Sequence, residues 1–160
     1  MATQYTAGLA QGQVLTADIM NQIGAAWETY TPALTGTTTN PTLGTGSTVA
    51  GKYCQVQKTI MGYAFFAFGR SGVTNGAGDY RISLPVTALS GGQNGIISGY
   101  VWLYDQSAAT GWSAIAQVAT GTTMSFLKST GDATINITAT NPFTWAANDQ
   151  IRLFFTYEAA

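Results

Sequence analysis

Apolar and polar residues alternate along most of this chain with a period of two, the pattern of strands that bury one face. The alternating runs are 53–59, 60–68, 80–86, 96–104, 112–118, 123–127, 133–138 and 150–157. Residues that tolerate a positive φ fall near or between them: Asn75-Gly76, Gly91-Gly92, Asn94-Gly95, Gly131-Asp132 and Asn148-Asp149. Roughly eight short strands at this spacing predict an all-β fold, an antiparallel β-sandwich or jelly roll. From Tyr30 to Gly51 the chain is mostly Thr, Gly, Pro and Asn, which predicts extended segments and turns.

One segment breaks the period. Leu15, Ile19, Ile23 and Trp27 recur at every fourth position, Thr16 is placed to cap, Asp18 sits in the first turn, and Leu15 can staple to Met20. Gly24 weakens the last turn and Pro32 forbids continuation, so a short helix ending near Trp27 is expected. Helices shorter than about 12–15 residues do not offset their nucleation cost in water, so the seam needs a partner. Two strands also carry more apolar surface than a one-sided sheet requires. In 60–68 both alternating faces are apolar, and in 150–157 the outward set Arg152, Phe154 and Thr156 includes a phenylalanine. Either these strands are covered twice within one chain, or their second face meets another subunit.

Composition narrows the partners. Only 8% of the 160 residues are charged, against about 25% in an ordinary soluble domain. With 46% hydrophobic residues the chain is expected to order, as a single core. A net charge of −1 without a basic cluster excludes the electrostatic footprint of a nucleic-acid binder. No basic region followed by an apolar run opens the chain and no apolar stretch approaches a membrane span, so no signal peptide and no membrane insertion are expected. The single cysteine, Cys54, lies in an alternating run and reads as a small buried thiol.

Catalytic constellations are scarce. The absence of histidine excludes Ser-His and Cys-His nucleophile pairs and histidine metal sites. Gly46, Gly51 and Lys52 match the start of a phosphate-binding loop, yet Tyr53 stands where Mg²⁺ needs a hydroxyl and a strand follows where a helix is required. The seven acids, Asp18, Glu28, Asp79, Asp105, Asp132, Asp149 and Glu158, are scattered and mostly flank turns. A glycosidase needs two of them facing each other across a cleft. No cofactor or metal ligand set is legible, and the expectation is a non-enzymatic protein. Among the aromatics, Trp102, Tyr104, Trp112 and Trp145 are candidates for a sugar-stacking platform, with packing in the core as the competing role. Tyr104, Trp112 and Trp145 stand nearest strand ends and are the candidate glycan contacts.

The stretch from Trp27 to Thr59 carries a resemblance. Trp27, Tyr30-Thr31-Pro32, Leu34-Thr35-Gly36, Pro41-Thr42-Leu43-Gly44, Gly46, Gly51, Tyr53, Gln55 and Lys58-Thr59, followed by Tyr80-Arg81-Ile82-Ser83-Leu84-Pro85, resemble the opening of small β-domains of bacteriophage virion proteins. In that family a tail-fibre, tail-tip or head-surface protein ends in a trimeric β-sandwich. The resemblance implies residues 1–28 as an arm and helix attaching to the particle through Leu15, Ile19, Ile23 and Trp27, and residues 29–160 as a jelly-roll-like trimerisation and surface domain. It implies a homotrimer on the virion surface, contacts with other tail or capsid proteins, and a host surface glycan as a ligand. A short tail-fibre or tail-tip adhesin is the first expectation; a capsid decoration or head-fibre protein is the second, and a virion-associated glycan hydrolase the third.

Overall fold

The computed structural model describes residue 14 and residues 26–89, 95–129 and 133–160. Among them lie β1 (Glu28–Tyr30), β2 (Leu34–Gly36), β3 (Thr48–Val56), β4 (Thr59–Ala67), β5 (Tyr80–Ser83), β6 (Ile97–Asp105), β7 (Thr110–Thr120), β8 (Thr123–Ser129), β9 (Thr134–Asn136) and β10 (Gln150–Glu158). The fold is all-β and every named pairing is antiparallel. Each of the eight alternating runs corresponds to a strand. The segment read as extended adds β1 and β2. The helix expected over 15–27 lies, except for Ala26 and Trp27, which are not helical, outside the described residues, as do the turns at Gly91-Gly92 and Gly131-Asp132.

The strands form one hydrogen-bonded path, β1-β3-β4-β10-β6-β7-β8-β5-β2, with β9 on β8. Laid flat, nine strands at about 4.8 Å spacing would hold the two ends about 38 Å apart. Yet β1 and β2, the two ends of the path, are joined by Thr31, Pro32 and Ala33 alone. Four Cα steps reach at most about 14 Å, so the sheet must curl until its ends approach. The inward faces then pack on one another. In β10, Ile151, Leu153, Phe155 and Tyr157 are buried and alternate with outward Arg152, Phe154, Thr156 and Glu158. Phe66, Tyr80, Ile82, Val101, Leu103, Met124, Phe126 and Phe155 are fully enclosed.

The residues that carry the family resemblance fasten this curl. The Tyr30 ring packs edge-on against Tyr53 and Phe155, 5.9 and 6.4 Å between centroids. It lies flat over Gly51, where an added Cβ would sit 2.5 Å from the ring. Tyr53 donates its hydroxyl proton to Glu28 Oε2 at 2.8 Å; burial, then the Glu28 carboxylate, push its phenol up to about 12. Leu34 enters the core, and the segment after β5 is tied to β10 by Tyr157, whose hydroxyl donates to the Val86 carbonyl at 2.6 Å and accepts from the Val86 N–H at 3.2 Å.

Two hairpins use left-handed residues that carry side chains. Gln57 (φ 54°) turns β3 into β4 and Ala109 (φ 50°) turns β6 into β7. Neither is a residue type that marks such turns, which is why the alternation ran from Gln55 to Ile60 without an evident break. Asn148 (φ 67°), Gly76 (φ 61°) and Gly95 (φ 84°) take the left-handed conformation at expected places.

Candidate interaction surface

Among the described residues, none covers the outer face of the central strands. Strand β10 lies between β4 and β6, and its register places Phe154 opposite both Tyr63 and Tyr100, and Arg152 opposite both Phe65 and Trp102. Two cross-strand rows therefore stand side by side on the outside, Tyr63–Phe154–Tyr100 and Phe65–Arg152–Trp102. Tyr63, Tyr100 and Phe154 are 39%, 49% and 55% exposed. A shallow apolar groove of about 300 Å³ opens over the rows. The first row continues to Lys52 on β3 and to Ile115 and Leu127 on β7 and β8.

Local contacts hold these side chains in place. The Trp102 indole lies directly over Gly111, at a distance no Cβ would permit. Tyr100 and Ser113 share a hydroxyl hydrogen bond of 2.8 Å. The Arg152 guanidinium stacks over Phe65, 5.9 Å from the ring centroid, and donates to Gln150 Oε1 at 2.7 Å. Trp27, 51% exposed, rests against Tyr63 with centroids 6.1 Å apart and extends the patch. Cross-strand aromatic and aromatic–cation neighbours of this kind stabilise a sheet by roughly 0.2–1 kcal/mol each. That contribution does not require them to stay in water.

The residues singled out in the sequence fall in different places. Trp27 borders the exposed rows, while Leu15, Ile19 and Ile23 lie outside the described residues. Tyr104 shares the outward side of β6 with Trp102 and is half-buried. Trp112 faces the other way: it stacks on Phe143 at 4.8 Å, packs against the core and carries Lys128 over its ring at 5.8 Å. Trp145 is corrected from surface candidate to core residue. It is 2% exposed, stacks on Phe68 at 5.3 Å, touches Phe143 and Tyr80, and donates its indole N–H to the Thr138 carbonyl at 2.9 Å. The loop around Asn141-Pro142 folds inward, carrying Phe143 and Trp145 with it. The residues that sequence reasoning passed over for the surface are Tyr63, Phe65 and Tyr100. The outward phase of Tyr63 and Phe65 was visible in the two-faced run 60–68; their adjacency to Phe154 and Tyr100 was not.

The described aspartates are engaged in structural hydrogen bonds. Asp149 is fully buried; its Oδ1 accepts the Gln106 N–H at 2.9 Å and its Oδ2 the Ala146 N–H at 2.6 Å. Burial pushes its carboxyl above the ordinary range despite those bonds. Asp105, close enough to be felt by Asp149, accepts from Ser107 Oγ at 2.7 Å and the Ala108 N–H at 3.0 Å, and these bonds hold its carboxyl below the ordinary range. Two carboxylates with pKa values pushed apart resemble an acid–base pair. Here, however, the upward-shifted member has no solvent-facing oxygen and both members hold backbone amides. Asp79 accepts from Asn136 Nδ2 at 2.8 Å and again joins two chain segments. The Gly46–Lys52 match to a phosphate loop runs into β3, with Gly51 beneath Tyr30. Cys54 is a buried free thiol whose pKa burial raises. Among the described residues no three Cys, Asp or Glu side chains converge as a metal site.

Compared with protein-family models, with curated proteins and with solved structures, the chain matches none of them.

Proposed function

We propose that this chain is a bacteriophage virion structural protein, whose residues 29–160 form a jelly-roll-like β-sandwich subunit of a trimeric surface projection and whose residues 1–28 attach it to the particle. The observation that carries the reading is the combination of a closed core with one exposed aromatic face on β4, β10 and β6. Exposed apolar patches of several hundred Å² mark association sites far more often than chance surface. The motif residues Tyr30, Gly51, Tyr53 and Leu34 act in closing the sheet, which suits a domain selected for assembly rather than for a reaction. Its surface carries few charges, so association depends on shape and apolar burial.

Within that reading the first assignment is a short tail-fibre or tail-tip adhesin. The second is a capsid decoration or head-fibre protein, and the inward placement of Trp145 and Trp112 counts in its favour, since it removes the aromatics best placed in sequence for a glycan. Cryo-electron microscopy of intact particles tests the proposal. Three-fold density that accommodates this fold at the tail tip supports the adhesin, and the same density across the capsid supports decoration. Particles shown by mass spectrometry to lack the chain would refute both. The double variant Ile19→Asp/Ile23→Asp, expected to fold but to be absent from purified particles, tests the attaching role of the arm.

A further inference from the structure

We propose that Arg81 is the centre of a subsite for a carboxylate-bearing ligand, on the flank of the sheet built by β2, β5, β8 and β7; the proposal does not depend on the assembly role above. Tyr80 and Ile82 are 0% and 1% exposed and face the core, so Arg81 between them points to the opposite side. The register sets Thr35 on one side of it and Ser125 on the other, with Gln117 beyond Ser125. The Thr35 hydroxyl donates to the Arg81 carbonyl at 3.4 Å and ties β2 to this position. Ser125 stands between the inward Met124 and Phe126, yet it is only 6% exposed, so the row around Arg81 is recessed rather than raised. Its side chains are a guanidinium, two hydroxyls and an amide.

The Arg81 Nε is buried and has no hydrogen-bond partner among the described residues. Arg152 differs: its guanidinium stacks over Phe65 and donates to Gln150 Oε1. Holding an N–H of a charged group away from water with no acceptor is costly, and an acceptor small enough to reach it removes that cost. Nε and the neighbouring Nη present two parallel N–H groups along one edge of the guanidinium, a spacing that the two oxygens of a carboxylate match. Among the described residues no carboxylate fills this role. Asp79, immediately before β5 and on the same side as Arg81, accepts from Asn136 Nδ2 at 2.8 Å. Its charge leaves little positive potential in excess around Arg81, so a singly charged carboxylate suits the site better than a doubly charged phosphate or sulfate. The Ser125 hydroxyl and the Gln117 amide stand beside the fork as further donors.

Titration of the full wild-type chain with sodium acetate at neutral pH and constant ionic strength, followed on the assigned side-chain Nε–H resonances of Arg70, Arg81 and Arg152 by NMR, tests this. The Arg81 resonance is expected to move and saturate at millimolar acetate, while those of Arg70 and Arg152 do not saturate. Arg81→Lys keeps the charge but loses the fork, and should weaken acetate binding about tenfold or more, read from the backbone amides of Arg81 and Ser125. Arg81→Gln should abolish it. Glucuronate and N-acetylglutamate as probes then separate two sources of the carboxylate: tighter binding of the first assigns an acidic sugar, of the second an acidic side chain. If the Arg81 resonance does not respond to acetate, or Arg81→Gln binds acetate like wild type, water is the partner of this N–H and the inference falls, while the structural reading of the protein stands. Inorganic phosphate saturating the Arg81 resonance at lower concentration than acetate overturns the carboxylate assignment.

Discussion

Replacing Trp145 by alanine separates a core role from a surface role in one measurement. The indole is 2% exposed and lies among Phe68, Phe143 and Tyr80, with ring centroids 5.3, 4.4 and 5.8 Å away. A buried tryptophan removes about 200 Å² from water, worth about 5 kcal/mol at 25 cal/mol/Å² as an upper bound. The alanine Cβ retains part of this, while the Thr138 carbonyl loses its indole donor at a cost of about 1 kcal/mol. The net expectation is a loss of about 4 kcal/mol, in line with other tryptophan truncations. Domains of this size hold about 5–15 kcal/mol in all, so the fall in Tm should be on the order of 10 °C. Trp145→Phe keeps the stack but loses the hydrogen bond and one ring, and should cost about half as much. Urea unfolding and thermal melts, run at one protein concentration because oligomers melt in a concentration-dependent way, measure both. A Trp145→Ala protein within about 1 kcal/mol of wild type would refute the inward placement and return this residue to the surface.

Three further outcomes follow from individual contacts. The Tyr30 hydroxyl is buried without a hydrogen-bond partner, so Tyr30→Phe should leave stability unchanged or raise it by up to about 1 kcal/mol; a loss larger than that in urea unfolding would show the hydroxyl to be satisfied. Asp149→Asn puts an amide donor against the Ala146 or Gln106 N–H and should cost about 1–3 kcal/mol. Because the Asp149 carboxyl holds its proton more tightly folded than unfolded, the stability it contributes by protonation is fully present below the ordinary carboxylate pKa and is lost as pH rises through the raised value. The Tm gap between wild type and Asp149→Asn should therefore widen on acidification from neutral pH, and a gap that narrows would contradict the sign. Gly111→Val must expel the Trp102 indole from its seat, so tryptophan emission should change while stability falls by about 1–3 kcal/mol; unaltered emission would mean that the ring does not lie there.

The sequence by itself determined the strands and their phase. Period-two alternation is a local consequence of the pleat, so 150–157 and 60–68 announced both their existence and which side chains point together. It also exposed the anomaly that matters most, the apolar outward positions in those two runs. The near-zero net charge without a basic cluster set the expectation of no nucleic-acid partner, and the missing histidine removed the nucleophile pairs that depend on it. Turns governed by side-chain-bearing residues, Gln57 and Ala109, were not legible, because their left-handed φ is imposed by the strands they join rather than by the residues themselves. Only the tertiary structure decided what stands beside what. Strand β10, last in the chain, is inserted between β4 and β6, so Phe154 meets Tyr63 from about ninety residues earlier and Tyr100 from about fifty. The inward turn of the 141–145 loop, which buries Trp145, was likewise decided there, since an aromatic beside turn residues has the same local sequence whether the loop folds over the core or away from it. Alternation is written in neighbouring residues; strand order is settled by which faces bury the most apolar surface together, and that is a property of the whole chain.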